Sequence, residues 1–279
     1  MDLTEYRQVN YETWQRMAPG WERERDRLWQ FTRQVSENMV ARLDPQPGHV
    51  LLELACGTGE TGFNTAPRLG EEGKLIATDF APDMVEAARR RARELGLANV
   101  EVRVMDAEHM DLPDDSVDRV LCRFGYMLMP DAATALAETR RVLRDGGRLA
   151  FAVWAAAERN PWAAAAGAAL VQLGHMPMPE PGAPGIFSMG TEERIRELVV
   201  GAGFGEPQVE EVPVEWRFES FEDYLRFLED VTGVVAIVLA KLTGEQRAEV
   251  DEAIKRNAEP FRANGAYVMP GVALNALAS

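Results

Sequence analysis

The stretch "ELACGTGETG", residues 53–62, sets the chemical question for this chain. Gly57, Gly59 and Gly62 satisfy G-x-G-x-x-G, a spacing that lets backbone approach a nucleotide-type ligand closely. Glu53 precedes these glycines and Glu60 sits among them, so two carboxylates lie where a diphosphate would have to sit. Further acids follow at Asp79 in "IATDF" and Asp106 in "VMDAEHM". A phosphate-gripping P-loop is excluded, because "GETG" lacks the lysine of Gly-Lys-Ser/Thr. Histidine is the usual general base near neutral pH, and there are three. His49 precedes the first strand, at the wrong end for the glycine loop. His109 follows Asp106 by three residues. His175, in "LGHMPMPEPG", is the best catalytic base candidate, with a local hydrogen bond as its alternative role. No paired carboxylates or Ser–His–Asp set stands out.

These residues must be carried by strands and helices, and the chain alternates the two from residue 50 to about 155. Strands are predicted at 50–55, 74–79, 100–105, 117–122 and 148–154, with Val100, Val102 and Val104 on one face of the third. Pro82 opens a helix that Gly96 ends. Asp131 caps the next, whose apolar face runs Ala132, Leu136, Leu143. A later helix starts at Thr191 with the stripe Ile195, Leu198, Val199 and Ala202, followed by strands at 208–218 and 271–278. Alternation at this spacing predicts an α/β fold with a doubly wound, mostly parallel, seven-stranded Rossmann-like sheet and a mainly helical lid. The expected division is an N-terminal cap 1–38, core 39–154, lid insertion 155–190, core continuation 191–219, helical lid insertion 220–262 and final strand 263–279. Two capping signatures, Ser220…Asp223 and Thr243…Gln246, mark helices in the last insertion. "PGAPG" at 181–185 reads as a hinge or rigid connection.

Bulk properties narrow the partners. The formal net charge is -15, and no dense Lys/Arg patch reverses it, which argues against nucleic acid. "RRRAREL" at 89–95 reads as the solvated face of a helix. The longest apolar run, "VVAIVLA" at 234–240, falls far short of the ~18–20 residues a membrane span needs. No stable membrane insertion is expected, and the polar N-terminus points to a cytoplasmic protein. Cys56 and Cys122 lack C-x-x-C spacing, so they read as core thiols, with no disulfide framework or cysteine zinc site. No metal is expected.

Ligands of open parallel sheets bind outside the carboxyl ends of the strands, where the glycine loop falls. Asp79 lies 20 residues after Gly59 and suits the ribose of a nicotinamide dinucleotide. Its diphosphate, however, would meet Glu53 and Glu60, and unit charges ~4 Å apart repel by about 1–4 kcal/mol. S-adenosylmethionine reverses the sign, since it carries a cationic sulfonium and ammonium. Glu53 could then help hold it, Gly57 and Gly59 let backbone approach, Asp79 accepts the ribose hydroxyls, and Asp106 receives the adenine amino group with the Ala107 backbone beside it.

The segments "VLLELACGTGE", "IATDFAPDMVEAARRRA", "VMDAEHMDLPDDSVDRVLCRFGYMLMPD" and "ETRRVLRDGGRLAFAVW" resemble class I SAM-dependent methyltransferases, most of all the ubiquinone/menaquinone-biosynthesis type. The likeness is specific over 50–154 and looser over 188–218. It implies that Glu53, Ala55, Gly57, Gly59, Asp79, Asp106 and Ala107 bind cofactor. It further implies Phe80 and Met84 beside ribose and adenine, Arg123 and Phe124 at the mouth after the fourth strand, and Tyr11 and Trp14 over the methionyl end. The commoner aspartate of the first-strand motif is Glu53 here, one methylene longer. The implied reaction is methyl transfer to a small acceptor by in-line displacement, for which alignment and desolvation suffice and a dedicated base is optional. Trp14, Trp21, Trp29, Trp162, Met176, Met178 and Phe187 suggest a hydrophobic or aromatic acceptor, O-, C- or N-methylated. Thiolate-dependent metalloid methylation is disfavoured. The rival readings are a SAM-binding lyase, cyclase or regulatory subunit, and an NAD-dependent oxidoreductase; homodimerisation is left open.

Overall fold

The computed structural model describes residues 3–180 and 182–279. Five strands run parallel: β1 Val50–Glu53, β2 Lys74–Asp79, β3 Val100–Val104, β4 Val117–Arg123 and β5 Leu143–Trp154. With β6 (Gln208–Phe218) and β8 (Ala266–Ala278) they form one sheet in the order β3-β2-β1-β4-β5-β8-β6. That path holds the seven predicted strands, and β7 (Arg262–Ala263) adds two residues to β8. β8 is antiparallel to both of its neighbours on the path. The order reverses between β1 and β4, so the crevice of this doubly wound sheet opens at their carboxyl ends.

The central strands are buried runs, as expected where both faces of a sheet are covered. Leu51, Leu52, Leu75, Ala77, Val120 and Leu121 all lose their solvent contact. The edge strand β3 has a neighbour on one side only, and Val104 is 49% exposed, so the predicted Val100–Val102–Val104 face is not a buried one. β1 stops at Glu53 because Ala55 turns the chain with a left-handed φ of 49°. Leu143 belongs to β5 and not to the helix before it, α4 (Ala132–Val142), which buries Ala135, Leu136, Thr139 and Val142.

The last strand starts five residues earlier than its sequence suggests. β5 ends at Trp154 opposite Ala273, while Tyr267–Val272 continue pairing with Pro213–Phe218. A two-stranded ribbon thus extends past the carboxyl end of the parallel strands. Helices α5 (Pro161–Gln172) and α7 (Phe221–Val231) close on it, and α9 (Gly244–Ala258) packs on α5. Trp162 stacks on Trp216 at 4.2 Å, and the Tyr224 hydroxyl donates to the Trp162 carbonyl at 2.6 Å. The short α8 (Val234–Leu239) follows α7.

Helix α1 (Leu3–Leu43) is continuous, so the expected cap boundary at residue 38 falls inside it. Its second half joins the core through Val35, Met39, Val40 and Leu43. The same half packs across β5, β8 and β6, where Gln34 donates to the Pro213 carbonyl and Arg42 to that of Gln208. Caps act where the sequence places them. Asp131, Thr191 and Ser220 accept from the backbone N–H of Thr134, Arg194 and Asp223, and Thr243 with Gln246 forms a full capping box. The arginine run of α3 (Pro82–Glu94) does more than meet solvent. Arg90 pairs with Glu22 of α1 at 2.8 Å, and Arg91 with Glu60 of α2 (Glu60–Thr65) at 3.2 Å. Residues 1 and 2 of the expected cap and Pro181 of the expected hinge lie outside the described residues. Helix α6 (Glu192–Gly201) buries Ile195, Leu198 and Val199. Among the described residues no helix is long and apolar enough to cross a membrane.

Candidate functional site

A cavity of about 440 Å³ opens at the carboxyl ends of β1 to β4, beneath the first half of α1. Glu53, Asp79 and Asp106 all line it. Glu53, at the tip of β1, is 2% exposed; its Oε1 accepts the Gly62 N–H at 3.0 Å, and its Oε2 has no partner among the described residues. The third glycine of the motif exists for this carboxylate. A Cβ on Gly62 would lie 2.1 Å from Glu53 Oε2 and 2.9 Å from a Leu75 methyl, so no other residue leaves room for the longer acid. Asp79 accepts the Gly57 N–H through Oδ2 and the Ala81 N–H through Oδ1, each at 3.0 Å, which ties the glycine loop to the tip of β2. Asp106 is exposed, and its Oδ1 accepts the Glu108 N–H at 2.9 Å.

Burial sets the charge state of the free site. Desolvation pushes the Glu53 carboxyl up to about 8, against the opposing pull of the Gly62 N–H and the Arg123 charge. It pushes Asp79 up to about 6, opposed by the backbone N–H groups of Ala81, Gly57 and Phe80. Glu60 is raised as well, first by burial, but it turns away to Arg91 and to Arg25, the latter at 3.4 Å. It does not line the cavity, whose acids are Glu53, Asp79, Asp106 and Glu108. An acid whose folded value exceeds its unfolded one holds its proton better in the folded state, so stability falls as pH rises. For Glu53 that window runs from its ordinary 4.5 to about 8. Urea denaturation of the free protein is expected to show stability declining across it, with a smaller decline in Glu53→Gln; identical pH profiles would refute the buried-acid assignment.

Of the other residues expected at the cofactor, Tyr11, Trp14, Ala55, Gly57, Phe80, Met84, Ala107, Arg123 and Phe124 line the cavity. Gly59 does not. It precedes α2 with φ 90°, and a Cβ there would strike the Phe63 ring at 2.1 Å, so its task is to turn the loop. His175 is not among the lining residues either; it follows α5, its backbone N–H bonded to the Leu170 carbonyl. Its sequence neighbourhood gave no measure of that separation. His109 is 74% exposed and likewise absent from the lining, and His49 accepts the Gln46 N–H ahead of β1. Of the seven apolar residues expected around an acceptor, Trp14 and Trp21 reach the cavity. Trp162, Met176 and Phe187 pack with the core, Trp29 lines a separate cleft, and Met178 is 73% exposed.

The sequence reading missed Arg7, Asn10 and Glu108. Arg7 pairs with the buried Glu108, whose Oε1 also accepts the Asp131 N–H at 2.9 Å, and Asn10 donates to the Leu128 carbonyl at 3.2 Å. These contacts fasten the start of α1 across the cavity. The signal was present in part, since positions 7, 10, 11, 14 and 21 share a helical stripe. Nothing local marks Glu108. Both cysteines are buried and outside any disulfide, and Cys56, whose thiol donates to the Gly57 carbonyl at 3.7 Å, lines the cavity.

Comparison with known proteins gives a likeness in fold and, over part of the chain, in family. Residues 51–147 match a family described as a methyltransferase domain. The aklanonic acid methyltransferase DauC of Streptomyces sp. (strain C5) is 38% identical over 127 residues, 45% of this chain and 58% of that protein. The demethylmenaquinone methyltransferase of Geobacillus kaustophilus (strain HTA426) is 32% identical over 111 residues, 40% of this chain and 47% of that protein. The chain thus spans about half the length of these curated relatives. The crystal structure of the YcgJ protein from Bacillus subtilis shares the fold, with a TM-score of 0.60 at 19% identity over 88% of this chain and 97% of that one. Over residues 51–147, then, this chain is similar to methyltransferase domains.

Proposed function

We propose that the chain is an S-adenosylmethionine-dependent methyltransferase acting on a small, hydrophobic or aromatic acceptor. One observation carries the reading: three acids from the ends of β1, β2 and β3 line a single cavity, and one of them, Glu53, keeps a buried oxygen without a partner. That oxygen fits an ammonium group, and Asp79 and Asp106 beside it would repel a diphosphate. Glu53 would hold the amino group, Asp79 the ribose hydroxyls, and Asp106 with the Ala107 backbone the adenine edge. Phe80 and Met84 would pack on ribose and adenine, with Tyr11 and Trp14 above them. When bound, the cofactor supplies a methyl group on a cationic sulfur that leaves as a neutral thioether. The chain's own contribution is alignment and exclusion of water. The first half of α1, fastened by Arg7 to Glu108, covers the bound molecule, and we propose that α5 and α7–α9 complete a lid over the core. The names of both curated relatives refer to small organic acceptors, which supports the substrate class.

Isothermal titration with S-adenosylhomocysteine and with NAD tests the cofactor. Binding of the first and not the second is expected; binding of NAD alone would overturn the proposal. Transfer of label from the methyl-labelled cofactor to a small molecule in a cell extract tests the reaction itself and separates it from the lyase, cyclase and regulatory readings.

A further inference from the structure

Next to the three acids, the cavity holds a corner that they do not explain. Phe124 is a bulky residue with a left-handed φ of 62°, a conformation that costs on the order of 1–3 kcal/mol and tends to persist where function requires it. Its ring stacks on Trp154, centroids 4.1 Å apart and 11° from parallel, and Trp154 is braced by Trp162 and Trp216 at 5.2 and 5.8 Å. The strained turn thus presents a fixed aromatic plane at the cavity wall. Arg123 lies over the Phe124 ring, its guanidinium carbon 5.7 Å from the centroid. Its one hydrogen bond among the described residues runs from Nη1 to Thr32 Oγ1, and no carboxylate there comes within ion-pair distance. A guanidinium has five N–H donors, so most of this fork is uncommitted. Among the described residues, the only other cation in the lining, Arg7, is already matched by Glu108.

Resting on the methyl-transfer reading, we propose that Arg123 and Phe124 select the acceptor: a planar aromatic molecule bearing an anionic oxygen, as carboxylate, enolate or phenolate. Among the described residues the lining contains no histidine to take a proton, so an acceptor that enters ionised removes the need for one. Its oxygen forms the new O–CH3 bond as the C–S bond breaks, the electron pair of that bond goes to sulfur, and no proton changes hands. Arg123 holds the anion in line by charge-assisted, fork-shaped hydrogen bonds, and the Phe124 plane sets the tilt of the ring.

The carboxylate of the cofactor itself offers the same chemistry to Arg123, and the test separates the two sources. The probes are 2-naphthoate and 2-naphthamide, titrated into protein saturated with S-adenosylhomocysteine, with S-adenosylhomocysteine and 5′-methylthioadenosine titrated separately. The wild type is expected to bind naphthoate about tenfold more tightly than the neutral amide, the value of one charge-assisted contact. Arg123→Gln should abolish that preference while leaving naphthamide binding in place, and Phe124→Leu should weaken both probes alike. Should the glutamine variant not fold, Arg123→Lys carries the test, with naphthoate affinity falling about threefold and naphthamide unchanged for loss of the planar fork. Equal binding of the two probes by the wild type, or unchanged naphthoate affinity in the arginine variants, overturns the proposal. So does a loss of S-adenosylhomocysteine affinity, with methylthioadenosine spared, as large as the loss for naphthoate, because the guanidinium then serves the cofactor. Failure of the wild type to bind S-adenosylhomocysteine would instead sink the methyltransferase reading beneath it.

Discussion

Asp79→Ala is expected to lower affinity for S-adenosylhomocysteine by about 100-fold, the loss of two charge-assisted hydrogen bonds at about 1.5 kcal/mol each. Both Asp79 oxygens already accept a backbone N–H, and each keeps a further lone pair for a ribose hydroxyl. The same substitution leaves the N–H groups of Gly57 and Ala81 without their acceptor in a buried loop, a cost of about 1–3 kcal/mol apiece in stability. Asp79→Asn separates the two effects, since it keeps one oxygen for the loop and removes the charge; its affinity should fall between wild type and alanine. Calorimetric titration beside thermal denaturation reads both quantities. Affinity within about threefold of wild type in a folded alanine variant would remove Asp79 from the ribose.

Gly62→Ala should destabilise the protein by about 1–3 kcal/mol, the usual range for overpacking, and weaken S-adenosylhomocysteine binding as well. Its new methyl group would lie 2.1 Å from Glu53 Oε2 and force the carboxylate off the Gly62 N–H. Because the closer of its two clashes is with the glutamate and the other, at 2.9 Å, with a Leu75 methyl, shortening the acid should relieve the larger part. Glu53→Asp combined with Gly62→Ala is therefore expected to be more stable than Gly62→Ala alone, a coupling that a double-mutant cycle measures directly. Additive effects of the two substitutions would mean that Gly62 serves the turn and not the carboxylate.

Much of the fold could be read from local pattern. β2 and β6 have the limits that their apolar runs predict, and Asp131, Thr191, Ser220 and Thr243 cap the helices that they precede. Each of these features depends on residues within a few positions of one another, so the linear sequence holds all the information. Acids at the tips of successive parallel strands are legible for the same reason, because topology brings strand tips together whatever the side-chain details.

What the sequence could not specify depends on residues far apart in the chain. Glu60 stands in the glycine motif like a cavity residue, yet it pairs with Arg25 and Arg91 and does not line the cavity. Glu108 becomes a latch only because α1 lays Arg7 across it, and His175 is kept from the cavity by the course of α5 and the loop that follows. β8 outruns β5 because β6 supplies a partner beyond Trp154. By itself the sequence determined the parallel core, its capped helices and an acidic rim of strand tips, all set by backbone geometry and nearest neighbours. Tertiary structure alone decided which charges face the cavity and which neutralise one another, since a buried carboxylate takes whichever cation or N–H group the folded chain brings within reach.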